Sequence, residues 1–219
     1  MTTIQTLTPE THPALFARIH QAGLILGSAT ARGETRLLDA DRLKICVTGA
    51  RACTSYGAQV TSDIVEGAIP GRVLVTGGAY GVDTEAMRAV LRDGHPVIFV
   101  TAGGPDCLYP AGNAALHQRI LDTGGLILSA QPAGTLPTRL RHLGRLELMA
   151  AISDIVVIIE AGTRSGSMHL AHTAQRMGRP LGAIPGPATS AASAGTNNLI
   201  RNGARLITTA DDICTLTPR

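Results

Sequence analysis

Lys44-Ile45-Cys46-Val47-Thr48-Gly49-Ala50-Arg51 decides the fold. A short run of strand-forming residues stops at a glycine turn, and a helical period opens soon after, near residues 56–68. The same succession recurs at Val75-Thr76-Gly77-Gly78-Ala79-Tyr80-Gly81, at Val100-Thr101-Ala102-Gly103-Gly104, and at Ile159-Glu160-Ala161-Gly162-Thr163-Arg164-Ser165-Gly166-Ser167. In a parallel sheet, turns that follow strands lie along one edge, outside the strands' carboxyl ends. The four turns are therefore expected to converge on one crevice, where backbone N–H groups and helix N-termini receive anions. A phosphate-bearing ligand follows as the first expectation.

Outward from that stretch the pattern is regular. Apolar strand candidates fall at 44–48, 72–76, 96–101, 126–129, 155–159, 181–184 and 205–208, separated by helical candidates near 56–68, 83–93, 112–122, 140–152, 166–177, 197–202 and 211–216. Near-continuous apolarity is what strands covered on both faces require. The strands recur every ~25–30 residues, the spacing of βαβ units. The fold class expected is α/β: a doubly wound, mostly parallel, Rossmann-like sheet with helices on both faces. Ser55, Asp83, Ser165 and Thr196 are the expected helix caps, and Gly94, Gly124, Gly178 and Gly203 the expected stops. Residues 1–40 lack a strong period. They are read as an arm on a core domain spanning 41–219, with a short helix in 14–26 running into a strand-like Leu24-Ile25-Leu26, then a polar loop over 28–36.

Composition narrows the chemistry. The chain has 219 residues, 44% hydrophobic and 16% charged, enough to bury a core without staples. A net charge of +3 permits nucleic acid as a partner without demanding it. Aromatic residues make up only 2%, so a grip on nucleic acid rests mainly on phosphate contacts rather than base stacking. Cys46, Cys53, Cys107 and Cys214 form no C-x-x-C pair, which fits a reduced, cytoplasmic protein. No apolar run approaches the roughly 20 residues of a spanning helix, so no membrane partner is expected.

Within the turns, Gly49 allows close approach of a ligand, Arg51 offers a guanidinium, and Thr54 or Ser55 is placed to cap the next helix. Gly77, Gly78 and Gly81 leave room for a sugar-phosphate, but no G-x-G-x-x-G is present and nicotinamide dinucleotides are poorly supported. Tyr109 is positioned either to stack on a base or to pack beside Pro110. Glu160 ends a buried strand, open either to a ligand or to neighbouring N–H groups, while Thr163, Ser165, Gly166 and Ser167 gather hydroxyl and N–H donors at a helix start. His169 and His172 lack a metal-protease pattern, and no G-x-S-x-G follows a strand. No metal, cofactor or catalytic residue is expected; the chain reads as a binder.

Taken in order, these motifs resemble the DNA-processing protein A (DprA/Smf) family over residues 44–213. Its V-G-x-R-x-x-S-x-Y-G is echoed by Thr48-Gly49-Ala50-Arg51 and Thr54-Ser55-Tyr56-Gly57, and its S-G-x-A-x-G-I-D-x-x-A-H by Thr76 to Met87. Tyr109-Pro110, Glu160-Ala161 with Ser165-Gly166-Ser167, Ile184-Pro185-Gly186, and Gly195-Thr196-Asn197 to Ala204 match further family elements. The resemblance implies a single-stranded DNA binder that dimerises and helps load a RecA-type recombinase during natural transformation. The positions it marks as DNA-facing are Gly49, Arg51, Thr54, Gly77, Gly78, Gly81, Ser165, Gly166, Ser167 and Asn197. The family's F-P-x-R-N-R-I-I-A-x-L-S falls on His142 to Ser153: Arg145 is kept, while Leu146 replaces Asn and Glu147 replaces an Arg. A carboxylate there is expected to repel phosphate, with Arg139, Arg141 and Arg164 as accessory cations. The helical and winged-helix pieces that flank the core in many members are expected to be reduced or missing.

Two other classes remain open. The first is a small-nucleotide sensor on the same crevice, in which the Arg lost at Glu147 reflects a shift from polymer to mononucleotide or signalling nucleotide. A nucleoside-monophosphate phosphoribohydrolase is faintly echoed by Glu160-Ala161-Gly162-Thr163, without a Glu three residues after the Thr.

Overall fold

The computed structural model describes residues 3–39 and 41–216. Seven of its strands are parallel: β3 (Lys44–Thr48), β4 (Val73–Thr76), β5 (Val97–Val100), β6 (Leu126–Ser129), β7 (Ile155–Ile158), β8 (Leu181–Ala183) and β9 (Arg205–Leu206). Two more, β1 (Ile4–Leu7) and β2 (Ala29–Gly33), extend the sheet antiparallel beyond β6. The order is β1-β2-β6-β5-β4-β3-β7-β8-β9. From β3 the chain runs outward through β4, β5 and β6, then returns to β7 on the other side of β3. The strand order reverses between β3 and β7, and a doubly wound sheet opens its crevice at that point.

The helices cover both faces. Ile45, Val47, Leu74, Phe99 and Val157 pack beneath α2 (Ser55–Ala68), α3 (Val82–Arg92), α4 (Ala114–Asp122) and α8 (Ala210–Cys214). Cys46, Val75, Ile98, Leu128 and Val156 pack beneath α1 (Pro13–Gln21), α5 (Arg139–Ile152), α6 (Gly166–Arg176) and α7 (Ala194–Arg201). Successive strand residues thus serve opposite cores, which is why these strands are apolar throughout. The single lysine of the sequence, Lys44, is buried at the amino end of β3, donating its Nζ to the carbonyls of Asp39 and Arg42. Asp154, held by Arg18 at 2.7 Å, accepts the Lys44 backbone N–H at 2.7 Å. Every other side-chain cation besides histidine is therefore arginine.

The amino-terminal segment departs from the sequence reading. The expected loop over 28–36 contains β2, and the expected strand at Leu24-Ile25-Leu26 has no regular structure. Ala29-Thr30-Ala31 has no strong strand signature; it becomes a strand because β6, far away in sequence, supplies a ladder for it. Leu24 and Leu26 pack on the core from an irregular connection, while Ile25 stands 90% exposed.

Candidate nucleic-acid interface

Three of the four glycine turns interlock at the switch point. A Cβ on Gly49 would stand 2.6 Å from Val82 and 2.9 Å from the Glu160 carbonyl. One on Gly81 would stand 2.2 Å from the Ala50 carbonyl, and its φ of +73° already requires glycine. Val82 donates its N–H to Ala50 at 3.2 Å, and the Ser167 hydroxyl donates to the Gly49 carbonyl at 2.8 Å. Glycine at these places lets loop backbones touch one another.

Glu160 ties β7 to the start of α2. Its buried carboxylate accepts from the Thr54 N–H at 2.8 Å and the Thr54 hydroxyl at 2.6 Å, and that hydroxyl accepts from Gly57 at 3.1 Å as the cap of α2. Thr54, not Ser55, is therefore the cap. Helix α3 likewise begins at Gly81 rather than being capped by Asp83, and the Ser193 position rather than Thr196 precedes α7. Ser165 does cap α6, accepting from Met168.

Between these loops and α5 lies a crevice of about 400 Å³, lined by Gly49, Arg51, Gly77, His142, Arg145, Ser165, Gly166 and Ser167 over a floor of Leu146, Met149 and Leu170. Arg145 is 7% exposed; it donates Nη1 to the Gly77 carbonyl, and its Nε has no partner. Burial pushes its pKa down, with the nearby Asp83 carboxylate opposing and Arg51 reinforcing. Asp83 is itself buried, accepting from the Thr48 hydroxyl at 2.6 Å and the Ala79 N–H at 3.1 Å. Burial raises its pKa against those hydrogen bonds. Arg51 is exposed at the rim and makes no hydrogen bond or ion pair among the described residues. A shallower groove continues from Arg51 and His142 past Tyr109 to Thr138 and Arg139. The crevice so combines guanidinium groups with a helix N-terminus, a donor set matched to phosphate.

The structure brings Gly49, Arg51, Gly77, Arg145, Ser165, Gly166 and Ser167 together in the crevice, with Tyr109 and Arg139 along its extension. Other candidate residues are engaged elsewhere. The Thr54 hydroxyl and Glu160 bind each other, and Ser55 is merely the first residue of α2. Gly78 packs against Phe99, where a Cβ would stand 2.5 Å from the ring. Asn197 holds the turn after β8, donating to the Gly186 carbonyl at 2.9 Å and accepting from its N–H at 3.2 Å. Arg141 donates to Gln131 and the Leu136 carbonyl. Thr163 and Arg164 are exposed in the turn before α6.

Two expectations are corrected. The third glycine turn does not open on the crevice, because the 130–137 loop covers it: Gly104 donates to the Thr135 carbonyl at 2.8 Å, and a Cβ on Gly104 would stand 2.6 Å from the Pro132 carbonyl. Glu147 does not face the crevice either. It lies two residues past Arg145, on the other flank of α5, lining an adjoining groove with Leu24, Leu26 and His169 that shares Leu143 and Arg145 with the crevice. His142 was missed from the sequence, although it sits one turn before Arg145 on the same helix face.

A doubly wound fold with an arginine-lined crevice beside a helix N-terminus at its switch point defines a Rossmann-like protein. The chain belongs to the DNA recombination-mediator protein A family, whose model matches residues 3–218. It is 44% identical over 184 residues to a DNA processing protein of Mycobacterium tuberculosis, covering 84% of this chain and 47% of that one. It therefore spans about half the length of that curated relative. Among solved structures it is similar to DNA processing protein A of Streptococcus pneumoniae, with TM-score 0.88 and 29% identity over 98% of this chain and 75% of that one. It is also similar to DNA processing protein A of Helicobacter pylori, known for a single-stranded DNA binding mode, with TM-score 0.83 and 33% identity over 97% and 96% of the two chains. Among the described residues no helix is long and apolar enough to cross a membrane.

Proposed function

We propose that this protein binds single-stranded DNA along the Arg51–Arg145 crevice and acts as a recombination mediator rather than as an enzyme. The observation that carries the reading is the unpaired Arg51 guanidinium beside the buried Arg145 and the N-terminus of α6, continuous with the groove toward Arg139. A polymer uses the whole length of that path, whereas a mononucleotide fills only the enclosed part. Relatives supply the class of ligand: the Helicobacter pylori protein has a single-stranded DNA binding mode. Delivery of the strand to a RecA-type recombinase during natural transformation, a homodimeric state and a cytoplasmic setting complete the proposal. The carboxylate that lines the crevice, Asp83, is tied up by the Thr48 hydroxyl and the Ala79 N–H, which favours binding over hydrolysis. Titration of labelled oligo-dT at two ionic strengths tests the proposal. Binding that weakens steeply with salt supports it, and no binding at low salt overturns it. A mononucleotide that raises the melting temperature while oligo-dT does not would favour the sensor reading.

A further inference from the structure

His142 is placed where an arriving phosphate changes its chemistry. It projects from α5 into the crevice one turn before Arg145, faces Arg51 from the β3–α2 turn, and meets the Tyr109 ring edge-on with centroids 5.6 Å apart. Its Nδ1 is buried without a hydrogen-bond partner. Tyr80 lines a small recess beside the ring and Arg139 the groove on its other side, and the only carboxylate lining the crevice or these two extensions, among the described residues, is the buried Asp83. The ring thus faces two guanidinium groups and no exposed anion. Burial, with those two charges, lowers its pKa to about 4 and keeps it neutral.

We propose that His142 is a ligand-binding residue of the crevice, becoming imidazolium as a phosphate enters between Arg51 and Arg145, so that binding takes up one proton from solvent. The inference rests on the phosphate reading above. A phosphodiester brings a negative charge to a ring that otherwise faces only guanidinium groups. Once bound, its single negative charge offsets about half of the guanidinium repulsion felt by the ring and gives the imidazolium an anion to pair with. By reciprocity, whatever favours the protonated ring on binding makes acid favour binding. The crevice then holds two permanent cations and one supplied on demand.

The test is the affinity for oligo-dT, whose bases and phosphodiesters do not titrate in the window, measured from about pH 7.5 to about pH 5.5 at constant ionic strength. The intact chain is compared with His142→Phe and His142→Gln, two residues that fill the place without titrating. The intact protein is expected to bind more tightly as pH falls, approaching but not exceeding about tenfold per pH unit, one proton being taken up. Both variants are expected to bind with a flat profile. A slope retained in both variants, or a flat profile in the intact protein, overturns the assignment while leaving DNA binding intact. Failure of all three proteins to bind at any pH removes the parent reading and this one with it.

Discussion

The carboxylate of Glu160 accepts two hydrogen bonds from Thr54, one from its N–H at 2.8 Å and one from its hydroxyl at 2.6 Å, across 106 residues of sequence. The contact joins the strands on either side of the switch point just where their loops part. The crevice keeps its shape because the groups beside it are satisfied by one another, leaving Arg51 and the α6 N-terminus for a ligand.

Thr54→Val removes the cap of α2 and one partner of a buried carboxylate. The expected cost is about 1–3 kcal/mol of stability, measured by urea denaturation. Since the hydroxyl already serves Glu160, oligo-dT affinity well below the melting transition should change little. A large loss of affinity with unchanged stability would contradict this.

Arg51 and Arg145 should separate cleanly. Arg51→Ala leaves stability within about 0.5 kcal/mol but lowers affinity and reduces the salt slope by about one unit. Arg145→Met lowers affinity as well, and costs about 1–3 kcal/mol because the Gly77 carbonyl loses its donor. Denaturation and salt-dependent titration of each variant provide the check.

Among the glycines, position decides the outcome. Gly81→Ala forces a Cβ to 2.2 Å from the Ala50 carbonyl at a φ of +73°, and a marked fall in melting temperature is expected. A Cβ on Gly166 meets nothing within 4 Å. Gly166→Ala should therefore keep or raise the melting temperature while weakening oligo-dT binding several-fold, because the methyl group stands where a phosphate approaches the N-terminus of α6.

His117 gives the fold an acid limit. Its ring stacks on Phe99 at 4.5 Å, and burial lowers its pKa to about 4 against the opposing influence of the Gly78 backbone. Between that value and the ordinary 6.5 the unfolded chain holds more protons than the folded one, so stability falls as pH is lowered. The loss amounts to about 3 kcal/mol at most, complete below about pH 4. His117→Phe should flatten that part of the profile in denaturation series run at stepped pH.

Much of the architecture was legible because strands such as Lys44–Thr48 and Ile155–Ile158 are apolar on both faces, a pattern local to each segment. Strand β2 was illegible for the converse reason: its small and polar residues become a strand only against β6. In the crevice, Arg51 and the Ser165 to Ser167 cluster were marked by the strands that precede them. His142 carried no such mark, and Glu147 carried a misleading one, because an aligned residue type says nothing about which flank of a helix it occupies.

Residue order was sufficient for the succession of strands and helices, the turns after β3, β4 and β7, and the family, since each depends on short-range pattern or on ordered motifs. Packing alone selected which turn is covered, which glycines serve other loops rather than a ligand, and which charges meet. Those outcomes come from contacts between segments far apart in the chain, 118 residues for Ser167 and Gly49, where the space left by one loop determines whether another is open to solvent.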